Sequence, residues 1–257
     1  MKKLLLLAVL IFGLHAQSVT KLKKACDLNN GLKCSNLGAL YEAKRDYSKA
    51  RKYYSKACSL NFGGGCSNLG ELYYEGHGVK RDYVKAIKYY TKSCKLNSGP
   101  GCSNLGAVYH AGDGVRQNYS KARKYYNKAC SLNFGLGCRN IGFLYYNSQG
   151  VKKDYSKVKK YFTKACNLND GIACADLGHL YFVGQEIKQN YSKAKKYSSK
   201  ACNLNNGKGC ATLGTLYLAG AGVKQDASRG MKYIKKGCKL KDNRACSLYK
   251  KMKRKGY

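Results

Sequence analysis

Fourteen cysteines stand in seven pairs of one spacing, C-x7-C: Cys26/Cys34, Cys58/Cys66, Cys94/Cys102, Cys130/Cys138, Cys166/Cys174, Cys202/Cys210 and Cys238/Cys246. An even count at constant spacing is the chemistry of disulfides. Structural zinc sites set their paired cysteines only about two to four residues apart. Two connectivities are geometrically open. Each cysteine can join its C-x7-C partner, or Cys66 can reach Cys94 across a helical hairpin. The second scheme strands Cys26 and Cys246 and the first strands none, so the first is expected. Each bridge then closes a loop of about nine residues and contributes roughly 2.5 kcal/mol in the chain-entropy model.

Other reactive patterns are weaker. S-x-x-K, the nucleophile motif of serine β-lactamases, occurs at Ser18/Lys21, Ser156/Lys159, Ser192/Lys195 and Ser247/Lys250. A chain this rich in Ser and Lys produces such matches by chance, and the companion S-D-N and K-T-G elements are absent. His77, His110 and His179 fall one per repeat, without H-E-x-x-H or clustered carboxylates, so no metal and no cofactor is expected. A polar ladder recurs two residues after the loop-closing cysteines: Asn36, Asn68, Asn104 and Asn140, then Asp176 and Thr212. An amide donates and accepts at once, so such a ladder can grip the backbone of an extended peptide; it can equally cap its own helices. Around it one position varies: Ala39, Glu71, Ala107, Phe143, His179 and Thr215.

The elements that position these residues follow from a 36-residue period that starts at Cys58. A period of this size is that of a helical repeat array. In residues 66–101, Leu69, Leu72 and Tyr73 follow helical spacing from Cys66 to Glu75. Gly76-His77-Gly78-Val79 breaks that helix. Asp82 caps a second one, as do Asp46, Asn118, Asp154, Asn190 and Asp226 in the other units. Leu96 to Gly101 reads as a loop back to the next helix. Six helix–turn–helix units result, with a lone helix at each end, about 18–27 and 246–255. The glycine of each Leu-Gly pair (Gly38, Gly70, Gly106, Gly142, Gly178, Gly214) is expected to face Ala50, Ala86, Ala122, Ala194 or Gly230. Val158 breaks that pattern and should widen the fourth unit. The tyrosines at constant offset, Tyr41, Tyr73, Tyr109, Tyr145, Tyr181 and Tyr217, read as core.

Met1-Lys2-Lys3, the apolar run Leu4 to Leu14 and small Ala16 form a secretory signal peptide over residues 1–16. Residues 17–257 then form a single all-α solenoid. Signal and cysteines together point to a secreted or periplasmic protein. No other apolar run is long enough to span a membrane. The balance of 49 basic against 13 acidic residues attracts anionic partners. Outside the cytoplasm these are anionic surface components rather than nucleic acid.

The pattern L-G-x-L-Y-x-x-G-x-G-V-x-x-D-Y-x-K-A-x-x-Y-Y-x-K-A-C resembles the Sel1-like repeat, a relative of the tetratricopeptide repeat with a longer turn. The C-x7-C staples make the whole mature chain similar to the Helicobacter cysteine-rich protein family. That resemblance implies a secreted, penicillin-binding monomer that hydrolyses β-lactams slowly, with a β-lactam or cell-wall-derived ligand. It names no catalytic residue. The alternative is a non-enzymatic scaffold for extended peptides, cell-wall fragments or host surface proteins, with Asn36, Asn68, Asn104, Asn140 and Asp176 as the binding ladder.

Overall fold

A computed structural model describes residues 19–254; the leader expected over residues 1–16 and Ser18 lie outside them. Among the described residues the chain is all helix, an α-solenoid of fourteen helices without strands. It forms two compact units, one up to Leu132 and one from Asn133.

The first unit holds α1 (19–27), α2 (Gly31–Ala43), α3 (Tyr47–Ser59), α4 (Gly63–Glu75), α5 (Tyr83–Lys95), α6 (Gly99–Ala111) and α7 (Tyr119–Ser131). The second holds α8 (Gly135–Tyr146), α9 (Tyr155–Asn167), α10 (Gly171–Val183), α11 (Tyr191–Asn203), α12 (Gly207–Ala219), α13 (Ala227–Lys239) and α14 (Asn243–Arg254). Each even-numbered helix up to α12 is the first helix of a repeat and pairs with the odd-numbered one after it. First helices also touch their counterparts in neighbouring repeats: α2 with α4, α4 with α6, α10 with α12 and α12 with α14.

The second helices are amphipathic. In α3, Ala50, Tyr53, Tyr54, Ala57 and Cys58 are buried, the i, i+3, i+4, i+7, i+8 stripe of a helix with one covered face. Their N-caps are the six expected residues: Asp46, Asp82, Asn118, Asp154, Asn190 and Asp226 each accept from the backbone N–H three residues on.

The link between repeats is shorter than the expected Leu96–Gly101 loop. α6 begins at Gly99 and α4 at Gly63, three residues before their cysteines. Asn61, Asn97, Asn133, Asn169 and Asn205 sit at φ between 56° and 64°, the left-handed conformation that asparagine tolerates best after glycine. One such residue turns the chain, and the next helix starts two residues later. Lys241 takes the same conformation at φ 62°, which starts α14 at Asn243 rather than near residue 246.

Six C-x7-C pairs are bonded as expected: Cys26–Cys34, Cys58–Cys66, Cys94–Cys102, Cys166–Cys174, Cys202–Cys210 and Cys238–Cys246, with Cα–Cα distances of 4.4 to 4.7 Å. Cys130 and Cys138 are disulfide-bonded as well, and no described cysteine is free. Each of the six bridges ties the last turn of one helix to the first turn of the next.

The placement of the second cysteine in each pair differs from the sequence reading. Cys34, Cys66, Cys102, Cys138, Cys174 and Cys210 do not mark the end of a loop and the edge of a helix. Each lies one turn inside a first helix, three residues after its opening glycine. All six are fully buried, at 0% exposure. The left-handed asparagine turns the chain earlier than expected, which carries these cysteines into the core between two helices. Cys34, Cys174 and Cys210 are therefore core groups as well as staples, and they belong to no exposed binding surface.

The recurring glycine packs against the backbone of the small residue expected opposite it, as Gly70 on Ala86, Gly106 on Ala122 and Gly214 on Gly230 show, and in most repeats against a ring as well. A Cβ at Gly70 would lie 2.7 Å from the Tyr90 ring, and one at Gly106 2.6 Å from the Tyr126 ring. The first-helix backbone thus approaches both the second-helix backbone at Ala86 or Ala122 and the aromatic side chain four residues later. A Cβ at Gly142 would meet the Phe162 ring in the same way, so Val158 does not widen the fourth unit at this point. In the fifth repeat Ser198 takes the ring's place against Gly178.

The constant-offset tyrosines are core in part. Tyr145, Tyr181 and Tyr217 are buried, whereas Tyr41, Tyr73 and Tyr109 are half-buried. Each stacks nearly parallel on a second-helix tyrosine, from Tyr41 on Tyr53 at 5.5 Å to Tyr145 on Tyr161 at 6.1 Å. A cation also lies over each ring, as Lys85 does over Tyr73 at 5.3 Å and Arg229 over Tyr217 at 4.7 Å. Aromatic pairs and cation–π contacts each contribute about 0.5–1.5 kcal/mol.

Candidate functional site

The first-helix face of the second unit carries a partly enclosed polar–aromatic site. A cavity of about 150 Å³ is walled by Phe143, Tyr146, Phe162 and Leu180, with Asp176, His179 and Lys208 at its polar side. α8, α9, α10 and α12 all contribute. Phe143 meets Phe162 edge to face at 5.2 Å. Arg139, one turn before Phe143, lies over its ring at 5.7 Å while its Nε donates to Asp170 Oδ2 at 3.0 Å. Asp170 also caps α10 by accepting from the Ala173 N–H. The aromatic wall is thus fastened across a repeat boundary.

Asp176 is the polar centre. Its Oδ1 accepts from Lys208 Nζ at 2.7 Å, and its Oδ2 is buried without a hydrogen-bond partner. Leaving a buried acceptor unmet costs about 1–3 kcal/mol, which a ligand donor recovers by a turn of the carboxylate. His179, one turn on, is half-buried, and its pKa is lowered by desolvation first and by the charges of Lys208 and Arg244 next. The imidazole is therefore neutral near pH 7 and offers one donor and one acceptor. Beyond Lys208 a second recess, lined by Phe182, Thr212, Thr215, Asp242, Arg244 and Leu248, continues the face along α12 to α14.

The first unit uses the same face differently. Tyr90 Oη donates to Glu71 Oε2 at 2.8 Å, and Asn104 Nδ2 donates to the same oxygen at 3.1 Å. Tyr54 Oη donates to Glu42 Oε2 at 2.6 Å. Burial first, then the neighbouring carboxylate, pushes both phenols far above their usual range. In these two groups the carboxylates at Glu42 and Glu71 are each met by a phenol.

A model of the Sel1 repeat matches residues 33–62, 64–98, 99–134, 135–170, 171–206 and 208–242. The chain belongs to the Sel1 repeat family. Among solved structures it is similar to a Sel1 repeat protein from Oxalobacter formigenes, at 28% identity, TM-score 0.73, over 82% of this chain and 89% of that one. It is similar to c5321, a protective antigen of uropathogenic Escherichia coli with an SLR fold, at 28% identity and TM-score 0.69. That match covers 91% of this chain and 51% of the antigen chain, about half its length. It is also similar to Helicobacter pylori cysteine-rich protein B, at 39% identity over 53% of this chain and 98% of that one, TM-score 0.42. No curated protein matches it in sequence.

Within these Sel1 repeats the ladder residues are not helix caps. First helices are capped by Asn30, Asp170 and Asn206. Asn36 is exposed on α2, and Asn68, Asn104 and Asn140 are half-buried. Asn104 and Asp176 instead bond a neighbouring repeat. Thr212 bonds its own helix at Lys208 O. The varying position reaches the site, since Phe143 and His179 line one cavity and Thr215 the recess beside it. Arg139 and Lys208 are the residues sequence reasoning missed; among 49 basic residues nothing in their spacing sets them apart.

Of the S-x-x-K serines, Ser156 and Ser192 are exposed in the first turns of α9 and α11, and Ser247 is exposed on α14. His77 stacks on Tyr47 at 5.0 Å, and His110 packs edge-on against Tyr119 at 5.4 Å. Among the described residues no group of His, Cys, Asp and Glu is arranged to hold a metal ion, and no helix is long and apolar enough to cross a membrane.

Proposed function

We propose that this Sel1 repeat protein is a non-enzymatic scaffold that seats an extended segment of a partner protein on the first-helix face of its second unit. The observation that carries the reading is the cavity at Asp176. It joins an aromatic slot the size of one apolar side chain to an unmet carboxylate oxygen and a neutral imidazole. An apolar side chain fills the slot, its own backbone N–H meets Asp176 Oδ2, and His179 takes the adjacent peptide group. The flanking Asn140 belongs to the same face. Sel1 repeat proteins bind protein partners, which agrees with this use of the face.

The disulfides fit an oxidising compartment, and with the leader expected over residues 1–16 they support a place outside the cytoplasm. β-Lactam hydrolysis, implied by the family resemblance, draws no support from these residues. Of its serine candidates Ser156 and Ser192 lie exposed in first turns and Ser247 is exposed on α14, and we assign no catalytic group.

A position-scanned array of N-acetylated, C-amidated hexapeptides tests the reading. The expected result is selection of an apolar residue at one fixed position, with binding to Phe143→Ala weakened about tenfold or more, the scale of a central interface anchor. Selection of no apolar position, or equal binding by Phe143→Ala, would contradict it.

A further inference from the structure

A second recognition surface lies between the second helices, where the chain concentrates cations. In the first unit, Ser48, Lys49, Arg51, Lys52 and Ser55 of α3 face Tyr89 of α5 across a groove floored by Leu69 and Tyr73. The groove runs on to the turn before α5, where Arg51, Lys80, Arg81 and Lys85 surround about 540 Å³ with Asp82 as the one carboxylate. That carboxylate is engaged already: Oδ1 accepts from the Lys85 backbone N–H and Oδ2 pairs with Lys85 Nζ at 3.2 Å. Arg51, Lys80 and Arg81 are exposed, and no carboxylate in the groove balances them.

The second unit rebuilds this groove at equivalent positions. Lys195, Lys224 and Arg229 surround about 420 Å³ with Tyr217 and Asp226; each stands 144 residues, four periods, after Arg51, Lys80 and Lys85. Asp226 is engaged in capping α13. One repeat earlier in the same unit the register supplies Lys159, Lys188 and Lys193, all exposed.

We infer that each of these grooves is a binding site for a linear anionic polysaccharide, seating one sulfate or carboxylate cluster of it. Within the second unit the Lys159 and Lys195 sites recur one repeat apart, and recurrent sites of low individual affinity gain by multivalency when the ligand repeats as they do. Single-stranded nucleic acid fits less well, because it binds by stacking its bases on open aromatic faces. Two of the groove tyrosines are already engaged: Tyr73 stacks on Tyr89 and lies under Lys85, and Tyr217 stacks on Tyr233 and lies under Arg229. The grooves share no residue with the Asp176 cavity, so this site stands apart from the peptide-binding reading.

The test is titration of the oxidised full chain with a heparin-derived decasaccharide at low and at physiological salt. The groove variant is Arg51→Gln/Lys80→Gln/Lys195→Gln/Lys224→Gln. Its control is Lys23→Gln/Lys24→Gln/Lys251→Gln/Lys253→Gln, which removes the same charge from exposed sites elsewhere. Thermal melting confirms that both are folded. The expected result is about a tenfold or greater loss of affinity at low salt and a shallower salt dependence for the groove variant, with less than about threefold loss for the control. A single-stranded oligonucleotide of equal charge should bind the unaltered protein at least about tenfold more weakly than the glycan. No glycan binding, equal weakening of the two variants, or an oligonucleotide bound as tightly as the glycan would overturn the inference.

Discussion

Lys208 of α12 reaches back to Asp176 of α10, its Nζ 2.7 Å from Oδ1, and leaves the other carboxylate oxygen buried and unpaired. The pair does for the second unit what Asn104 and Glu71 do for the first: it ties successive first helices on the face they share. The difference is that Glu71 Oε2 is saturated by Tyr90 and Asn104, whereas Asp176 keeps an acceptor beside an aromatic cavity. A face stitched shut in one place is left with an opening in another.

His179 reports on that opening. Its folded pKa lies below the usual 6.5, through desolvation first and the Lys208 and Arg244 charges next. In the window between the folded value and 6.5 the unfolded chain binds more protons, so this residue's contribution to stability is present above 6.5 and is lost as pH falls through the window. An NMR titration should place its midpoint below 6.5. Lys208→Met should move that midpoint upward, since it removes a nearby cation and leaves the Asp176 carboxylate beside the imidazole. A midpoint at or above 6.5 in the unaltered protein would show the site to be more open than described.

The staples are local. Cys94 and Cys102 are bonded with Cα atoms 4.4 Å apart, so the double variant Cys94→Ser/Cys102→Ser should lose about 2.5 kcal/mol in denaturant unfolding. Non-reducing digestion should yield C-x7-C linked peptides throughout. A peptide joining Cys66 to Cys94 would refute this pairing.

Gly106 is held open by a ring. Gly106→Ala would place a methyl 2.6 Å from Tyr126, and overpacking costs about 1–3 kcal/mol. Alanine returns up to about 1 kcal/mol in helix propensity, so the net effect on the melting midpoint should be a decrease. An unchanged or raised midpoint would show that Tyr126 yields freely.

Ser156 and Ser192 are surface residues of helix first turns. If the purified protein turns over a chromogenic cephalosporin, Ser156→Ala and Ser192→Ala should leave the rate within about twofold. A loss of about a hundredfold, the scale of a catalytic group, would identify a serine enzyme.

Much of the repeat is legible from residue types alone. Asp82 and its equivalents announce helix starts because their side chains replace a missing backbone partner, and that chemistry is local. The turn at Asn97 reads as part of a longer loop because a left-handed asparagine has no periodic signature of its own. The pairing of Cys174 and Cys210 with their partners follows from spacing, but their depth inside α10 and α12 depends on that same turn. Gly70 is visible as an anomaly inside a helix, but the ring that fills its place stands on another helix, and only packing pairs them. The cavity is legible in part. Asp176 falls in the ladder and Phe143 and His179 at the varying position, whereas Lys208 and Arg139 enter it by reaching across repeat boundaries.

The most direct test of the peptide-binding account is an NMR titration of the oxidised full chain with the array-selected hexapeptide, following the Leu180 methyl groups and the His179 imidazole. Leu180 lines the aromatic slot and His179 its polar rim. The account predicts saturable shifts at both, with one affinity that Phe143→Ala lowers by about tenfold or more. Saturable peptide binding that leaves Leu180 and His179 unmoved would contradict it.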